Sequence, residues 1–223
     1  MTSTKRSMTL ENILESIVLG GMLLFPGDGS KSSKTDALSQ IVVQQTNDFY
    51  LPNLKLPDYE VDKQEFYRRK ARNLIGKLAR EHKVWPPGVV ITDEERGGFY
   101  TPGKMKVALS LYLFIDSKQN DWYFASIHEF GHHKYAVKAD KDEFTRLFYE
   151  ANIAKITGTF KEGVFDNIPD DFGHPRDTPT ELYASAFVIS ECGLIDAYKK
   201  KYFPIFSEEH KKLAEEIFEV VRK

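Results

Sequence analysis

Two histidines and a glutamate lie close together in His128-Glu129-Phe130-Gly131-His132. Histidines at this spacing lie about 40° apart on a helix, so both imidazoles can reach one metal ion. Glu129 projects to one side of the pair, where a carboxylate can act on a metal-bound water instead of binding the metal. The pattern arises by chance in roughly one of eighty chains with these numbers of histidine and glutamate. We therefore predict a zinc site with hydrolytic chemistry.

A catalytic zinc ion usually has three protein ligands and a water. A third histidine six residues after the second, as one class of zinc peptidases has, is ruled out because Lys138 occupies that position. His133 lies about 140° around the helix from His128, which excludes it from the ligand set. The third ligand must therefore come from another segment.

Glu181 is the main candidate for that ligand, and Asp177 and Glu191 are weaker ones. Glu181 begins a predicted helix with small residues, which would let the helix approach the histidines closely. Thr178-Pro179-Thr180-Glu181 is also a capping box, in which the glutamate caps its own helix. The residues alone leave both roles open.

The motif around His128, followed downstream by Glu-Leu-Tyr-Ala-Ser-Ala-Phe from Glu181, resembles the catalytic domain of anthrax toxin lethal factor and the related clostridial Pro-Pro endopeptidases. The resemblance covers roughly the last 100 residues. These proteins are gluzincins, zinc-dependent endopeptidases. The resemblance implies that His128, His132 and Glu181 bind Zn²⁺, that Glu129 is the general base, and that the substrate is a peptide or protein.

The chain departs from the family at two positions. His174 stands where the family usually has a tyrosine that stabilises the oxyanion. An imidazole can donate the same hydrogen bond, and Tyr100 is an alternative donor. A plain loop role for His174 and a packing role for Tyr100 stay open. Ser185 replaces a family glutamate, which leaves a second hypothesis: a catalytically weak or inactive zinc-binding interaction domain or toxin-accessory domain.

The elements that would position these residues are a helix, a few strands and a run of helices, which indicates an α+β fold. The resemblance implies a zincin-like metallopeptidase fold, with a small antiparallel or mixed sheet on the histidine helix and a mainly helical C-terminal half. We predict helices over residues 60–83 and 121–138, and strands over 89–92 and 104–115. Beyond residue 121 we expect helix breaks near Gly158, from Gly163 to Pro179, and at Pro204.

We predict an N-terminal helix and linker over residues 1–36 and the peptidase domain over 37–223. Residues 17–25 are apolar, but Glu11 and Glu15 precede them and no Ala-x-Ala cleavage site follows, which favours a cytoplasmic protein over a secreted one. No stretch has the length of a membrane span. Oligomeric state stays open.

Composition narrows the remaining function classes. The net charge of −2 gives no bias toward nucleic acid. The single cysteine, Cys192, excludes an intramolecular disulfide and a cysteine-rich zinc site, and we expect it in the core. A zinc protease acting on DNA-linked proteins would need a third histidine soon after His132, whereas the next after His133 is His174.

Overall fold

The computed structural model describes residues 60–93, 97–115, 121–164 and 173–223. The predicted N-terminal helix and linker over 1–36 lie outside these residues. The chain folds into these elements in order: α1 (Glu60–Glu81), β1 (Gly88–Thr92), β2 (Gly98–Thr101), β3 (Lys106–Ser110), α2 (Tyr112–Ile115), α3 (Asp121–Lys138), α4 (Lys141–Ile153), α5 (Thr157–Val164), α6 (Pro179–Glu191), α7 (Ile195–Tyr202) and α8 (Glu208–Arg222). The α+β class is confirmed. Within these ranges no helix combines the length and apolar character needed to cross a membrane.

The sheet is mixed and has the order β1-β3-β2. β3 runs parallel to β1 and antiparallel to β2, with Gly98 opposite Leu109 and Thr101 opposite Lys106. Val107 and Leu109 are completely buried, as expected for a central strand. β2 is an edge strand that pairs only with β3 among the described residues.

The predicted strand over 104–115 is too long. Strand structure ends at Ser110, and the chain turns into α2. The amide of Leu111 still donates to Thr92, but the amide of Tyr112 donates to the Ser110 hydroxyl and that of Phe114 to the carbonyl of Leu111. The ring of Phe114 then stacks on Trp122 and Tyr67. The apolar alternation continues past the strand end, but no sheet uses it there: Leu113 is buried from α2, and Ile115 is 52% exposed.

α3 is the middle layer of the fold. It packs on β2 and β3 and makes its most extensive helix contact with α6. All its residues from Trp122 to Lys134 are buried, as for a helix covered on every side. The ammonium of Lys134, itself fully buried, donates to the carbonyl of Val221 at 2.6 Å, which joins α3 to the last turn of α8. The contacts of α3 with β2 and β3 confirm the predicted packing of a sheet on the histidine helix.

The predicted break near Gly158 lies a few residues too late. α4 ends at Ile153, Lys155 adopts a left-handed conformation, and Gly158 lies within α5. The predicted break at Pro204 is confirmed, since a 3-10 turn over Phe203–Ile205 separates α7 from α8. Cys192 is buried, as expected for a core residue.

Gly131 permits the contact between α3 and α6. A Cβ atom at Gly131 would lie 2.9 Å from the Cα atom of Ala184, a backbone atom that cannot turn aside. Gly76 in α1 is a matched comparison, because a Cβ atom there would meet only the end of the Arg80 side chain at 3.7 Å.

We predict opposite effects for two glycine-to-alanine substitutions in helices. Gly131→Ala should lower the free energy of unfolding by about 2 kcal/mol or more because the two helices must separate. Gly76→Ala should raise it by about 0.5–1 kcal/mol through helix propensity. Urea denaturation followed by circular dichroism measures both. Equal effects of the two substitutions would contradict the close approach.

Candidate metal centre

His128 and His132 lie on adjacent turns of α3, and their Nε2 atoms are 3.1 Å apart. Both side chains are buried. The predicted helical geometry is therefore present, and the two rings converge on one point. His133 points elsewhere, with its Nε2 atom 2.7 Å from the carbonyl oxygen of Trp85, so its exclusion from the cluster is confirmed.

Glu181 completes the cluster from the first turn of α6. Its Oε2 atom lies 3.2 Å from Nε2 of His128, and its Oε1 atom lies 3.3 Å from Nε2 of His132. Half of the capping box also forms, because the Glu181 amide donates to the Thr178 hydroxyl. The amide of Glu181 thus takes part in capping α6, while its carboxylate faces the histidines.

The two weaker candidates for the third ligand lie elsewhere. Glu191, at the end of α6, pairs with His82 at 3.0 Å. Asp177 is exposed and lies 3.9 Å from Nδ1 of His174. Within the described part of the chain, the one group of side chains that could hold a metal ion is His128, His132 and Glu181.

The distances within this cluster fit a metal ion. Donor atoms about 2.0–2.1 Å from a tetrahedral ion are separated from each other by about 3.3–3.4 Å. The observed separations of 3.1, 3.2 and 3.3 Å are close to this value, with one oxygen of Glu181 facing each ring. Two imidazole nitrogens this close repel unless a proton or a cation lies between them. The residues present therefore fit a bound cation.

The protonation of His128 and Glu181 also suits metal binding, whereas the raised pKa of His132 favours a proton that a metal ion would displace. Burial lowers the pKa of His128 to about 4, so its imidazole is neutral near pH 7. Burial alone would raise the pKa of Glu181, but hydrogen bonds to His128 and His132 outweigh it and hold this pKa far below its usual range. For His132, burial is outweighed by Glu181, so its pKa is raised. A neutral imidazole and a carboxylate are the forms that bind metals.

Glu129 lies beside the cluster with only 3% of its surface exposed. Burial raises the pKa of its carboxyl group to about 7. Its Oε2 atom is buried and has no hydrogen-bond partner among the residues described. A carboxyl group with this pKa and a free oxygen can accept a proton near neutral pH and release it again.

The cluster opens into a cleft of about 930 Å³. β2 forms one wall and the start of α6 forms part of another. The lining residues are Gly97, Gly98, Phe99, Tyr100, Pro102, His128, Glu129, His132, Tyr135, Ala136, Lys141, His174, Thr180 and Glu181. All six predicted site residues therefore line a single cleft.

His174 and Tyr100 occupy different positions in this cleft. His174 lies in the segment before α6, and its side chain is 46% exposed. Tyr100 lies on β2, and its hydroxyl group is 2.9 Å from Nδ1 of His133. The structure brings both residues to the cleft, and their roles remain hypotheses.

Thr180 was not predicted as a site residue, although it contacts the candidate metal ligand His132. Its hydroxyl oxygen lies 2.8 Å from Nδ1 of His132, the ring nitrogen that faces away from the cluster. Such partners hold metal-binding imidazoles in place. The only signal in the sequence is that Thr180 precedes Glu181.

The second histidine of the cluster has no such partner. For His128, Nδ1 is buried without a partner among the described residues, and so is the hydroxyl group of Ser185.

No sequence pattern indicates the close contact between Gly98 and Glu129. A Cβ atom there would lie 2.8 Å from Cγ and 3.0 Å from Oε1 of Glu129. The strand can therefore pass over the carboxyl group only with glycine at this position.

We predict that Thr180→Val weakens metal binding at this cluster, measured with Zn²⁺, about 10- to 100-fold because His132 loses its hydrogen-bond partner. Competition with a chromophoric chelator measures the affinity. Thr178→Ala is the control: it removes the helix cap, at about 1 kcal/mol, without touching an imidazole. Equal losses of zinc affinity in both variants would show that the start of α6, not the contact with His132, carries the effect.

We predict that Gly98→Ala displaces Glu129 or β2 and, in the hydrolase expected from the sequence, lowers the hydrolytic rate at least about 10-fold. Gly103→Ala is the control, since a Cβ atom there meets nothing within 4 Å. Rates are measured on the zinc-loaded proteins with any peptide that the parent cleaves. A Gly98→Ala protein with the parent's rate would contradict the close contact.

No protein-family model, curated protein or solved structure matches this chain. The resemblance noted in the sequence therefore stays an expectation. Any functional assignment depends on the geometry of the cleft.

Proposed function

We propose that this protein is a zinc-dependent endopeptidase of the gluzincin type with a zincin-like fold. One observation carries the proposal: two buried imidazoles and a carboxylate from a distant helix converge within 4.8 Å, beside a further buried carboxyl group, in an open cleft. The nitrogen and oxygen donors and the fit to tetrahedral spacing favour zinc over calcium or magnesium, which prefer oxygen donors alone.

His128, His132 and Glu181 would hold the zinc ion. Three protein ligands are typical of catalytic zinc sites, which leave one coordination position open, whereas structural sites have four. When bound, zinc lowers the pKa of water and polarises a carbonyl group. The donor atoms of the histidines and Glu181 already lie within 4.8 Å of one another.

Glu129 is the proposed general base. Its buried carboxyl group takes a proton from the attacking water and transfers it to the leaving amine. His174 is the proposed donor to the oxyanion that forms on the scissile carbonyl group. Its exposed position before α6 leaves its ring free to turn into the cleft.

The edge of β2 is the proposed binding surface for the substrate. An extended peptide can add to a free strand edge, where main-chain hydrogen bonds supply affinity. β2 pairs with β3 along one side and lines the cleft with Gly98, Phe99 and Tyr100. A peptide paired with this strand would pass in front of Glu129.

A second candidate function is a zinc-binding interaction domain with weak or no catalysis. The observation in its favour is that Nδ1 of His128 and the hydroxyl group of Ser185 are both buried without partners among the described residues. A ligand imidazole without an oriented partner binds metal less firmly. The two functions differ in whether zinc binding is accompanied by cleavage.

We predict that the parent protein binds zinc in a 1:1 ratio and cleaves members of a random peptide library. Glu129→Gln should keep the zinc and lower the rate about 10²- to 10⁴-fold because the general base is lost. Plasma mass spectrometry measures the metal, and product mass spectrometry measures cleavage. His133→Gln serves as the histidine control for metal content, because His133 is outside the cluster.

The outcomes separate the two candidate functions. Zinc binding without cleavage by the parent protein would support the interaction domain. Cleavage that survives Glu129→Gln undiminished would contradict the mechanism. If the parent contains no more zinc than the His128→Ala variant, both functions are contradicted.

A further inference from the structure

Tyr100, His133 and Trp85 form a short hydrogen-bonded chain next to the metal centre. The hydroxyl group of Tyr100 lies 2.9 Å from Nδ1 of His133, and Nε2 of His133 lies 2.7 Å from the carbonyl oxygen of Trp85. The rings of Tyr100 and His133 also pack edge to face, with centroids 5.3 Å apart. His133 is completely buried, although it is polar and binds no metal in this arrangement.

The carbonyl group of Trp85 determines the direction of both hydrogen bonds. A carbonyl oxygen only accepts, so Nε2 of His133 carries the proton and donates it. A neutral imidazole has one N–H group, which leaves Nδ1 as an acceptor. Tyr100 must then donate its hydroxyl proton to His133. Trp85 and Tyr100 thus account for both ring nitrogens of His133.

This direction determines what Tyr100 can offer a substrate. Its single proton is already donated to His133, while its oxygen retains lone pairs that can accept. Tyr100 is on β2 and lines the cleft, two residues along the strand from Gly98. Residues two apart on a strand face the same side, so Tyr100 and Gly98 face α3 together. An extended peptide in this cleft presents main-chain N–H groups, which are donors.

We propose that the hydroxyl group of Tyr100 accepts a hydrogen bond from one main-chain N–H group of the substrate, and that His133 is the positioning residue that holds this hydroxyl as an acceptor. This inference rests on the proposed peptidase function. It also changes the role predicted for Tyr100 from the sequence, because a hydroxyl group whose proton is donated elsewhere does not stabilise an oxyanion. That role is left to His174.

The direction of the hydrogen bonds can be tested without any activity. Long-range nitrogen–proton NMR spectra of the metal-free protein, labelled with ¹⁵N in histidine, report which ring nitrogen carries the proton. His133→Gln identifies the signals of His133 by their loss. We expect a proton on Nε2 and none on Nδ1. A proton on Nδ1 of His133 would overturn the inference.

The acceptor role can be tested with substrates that lack one N–H group. The probe is the library peptide that the protein cleaves best, resynthesised with each main-chain N–H outside the scissile bond replaced in turn by an ester oxygen. With the parent protein, one ester should raise KM about 3- to 10-fold at unchanged kcat, as expected for one hydrogen bond lost from binding alone. With Tyr100→Phe, the same ester should bring no further loss.

Two further variants separate positioning from structure. His133→Leu should reproduce the KM effect of Tyr100→Phe, whereas His133→Gln, which keeps both a donor and an acceptor, should recover part of it. Zinc content is measured for each variant. If His133→Leu does not fold, the comparison of esters with Tyr100→Phe decides alone.

Other outcomes would overturn the inference or the proposed function. An equal ester penalty in the parent and in Tyr100→Phe overturns the acceptor role alone. If Tyr100→Phe lowers kcat about 100-fold or more for every substrate, Tyr100 is instead the oxyanion donor. That result also overturns the acceptor role. A zinc-loaded parent that cleaves no peptide overturns the proposed function, and with it the substrate assigned to Tyr100.

Discussion

The close approach of α3 and α6 at Gly131 is the constraint on which the site depends. Because glycine has no Cβ atom, the backbone of Ala184 can lie against α3. This brings the first turn of α6 near enough for Glu181 to reach both histidines, at 3.2 and 3.3 Å. A side chain at position 131 would push α3 and α6 apart and move Glu181 away from the two histidines. The glycine within the histidine motif thus determines whether a carboxylate from a separate helix reaches the histidines.

The same layer arrangement buries His128, Glu129 and His132 beside the half-buried Glu181, which is unfavourable without compensation. His128 responds with a pKa lowered to about 4, and Glu129 with one raised to about 7, in both cases chiefly through burial. Glu181 keeps its charge because two imidazoles contact it. A cation at the centre of these donors would compensate for the buried charge. Clusters of this kind, with pKa values displaced in opposite directions, are typical of functional sites.

The two walls of the cleft differ in what they can contribute. The helical wall supplies the candidate metal ligands together with Thr180, which contacts the nitrogen of His132 that faces away from the cluster. The strand wall supplies a main-chain edge that has no partner strand among the described residues, and Gly98 keeps this edge close to Glu129. His133 connects these walls, since it belongs to α3 and contacts Tyr100 of β2. An extended peptide between the walls would contact the main-chain edge of β2 on one side. On the other side it would contact Glu129 and the cluster of His128, His132 and Glu181.

The sequence by itself determined what depends on local periodicity: the helix of His128 and His132, the exclusion of His133 from the ligand set, and the α+β order of elements. Only the tertiary structure decided whether Glu181 faces the histidines or caps its helix, because both roles use the same residue at the same helix start. It also decided where the last strand ends, since stacking of Phe114 on distant rings follows no sequence period. Contacts between residues far apart in the chain depend on how helices and strands pack, and no local pattern encodes that packing.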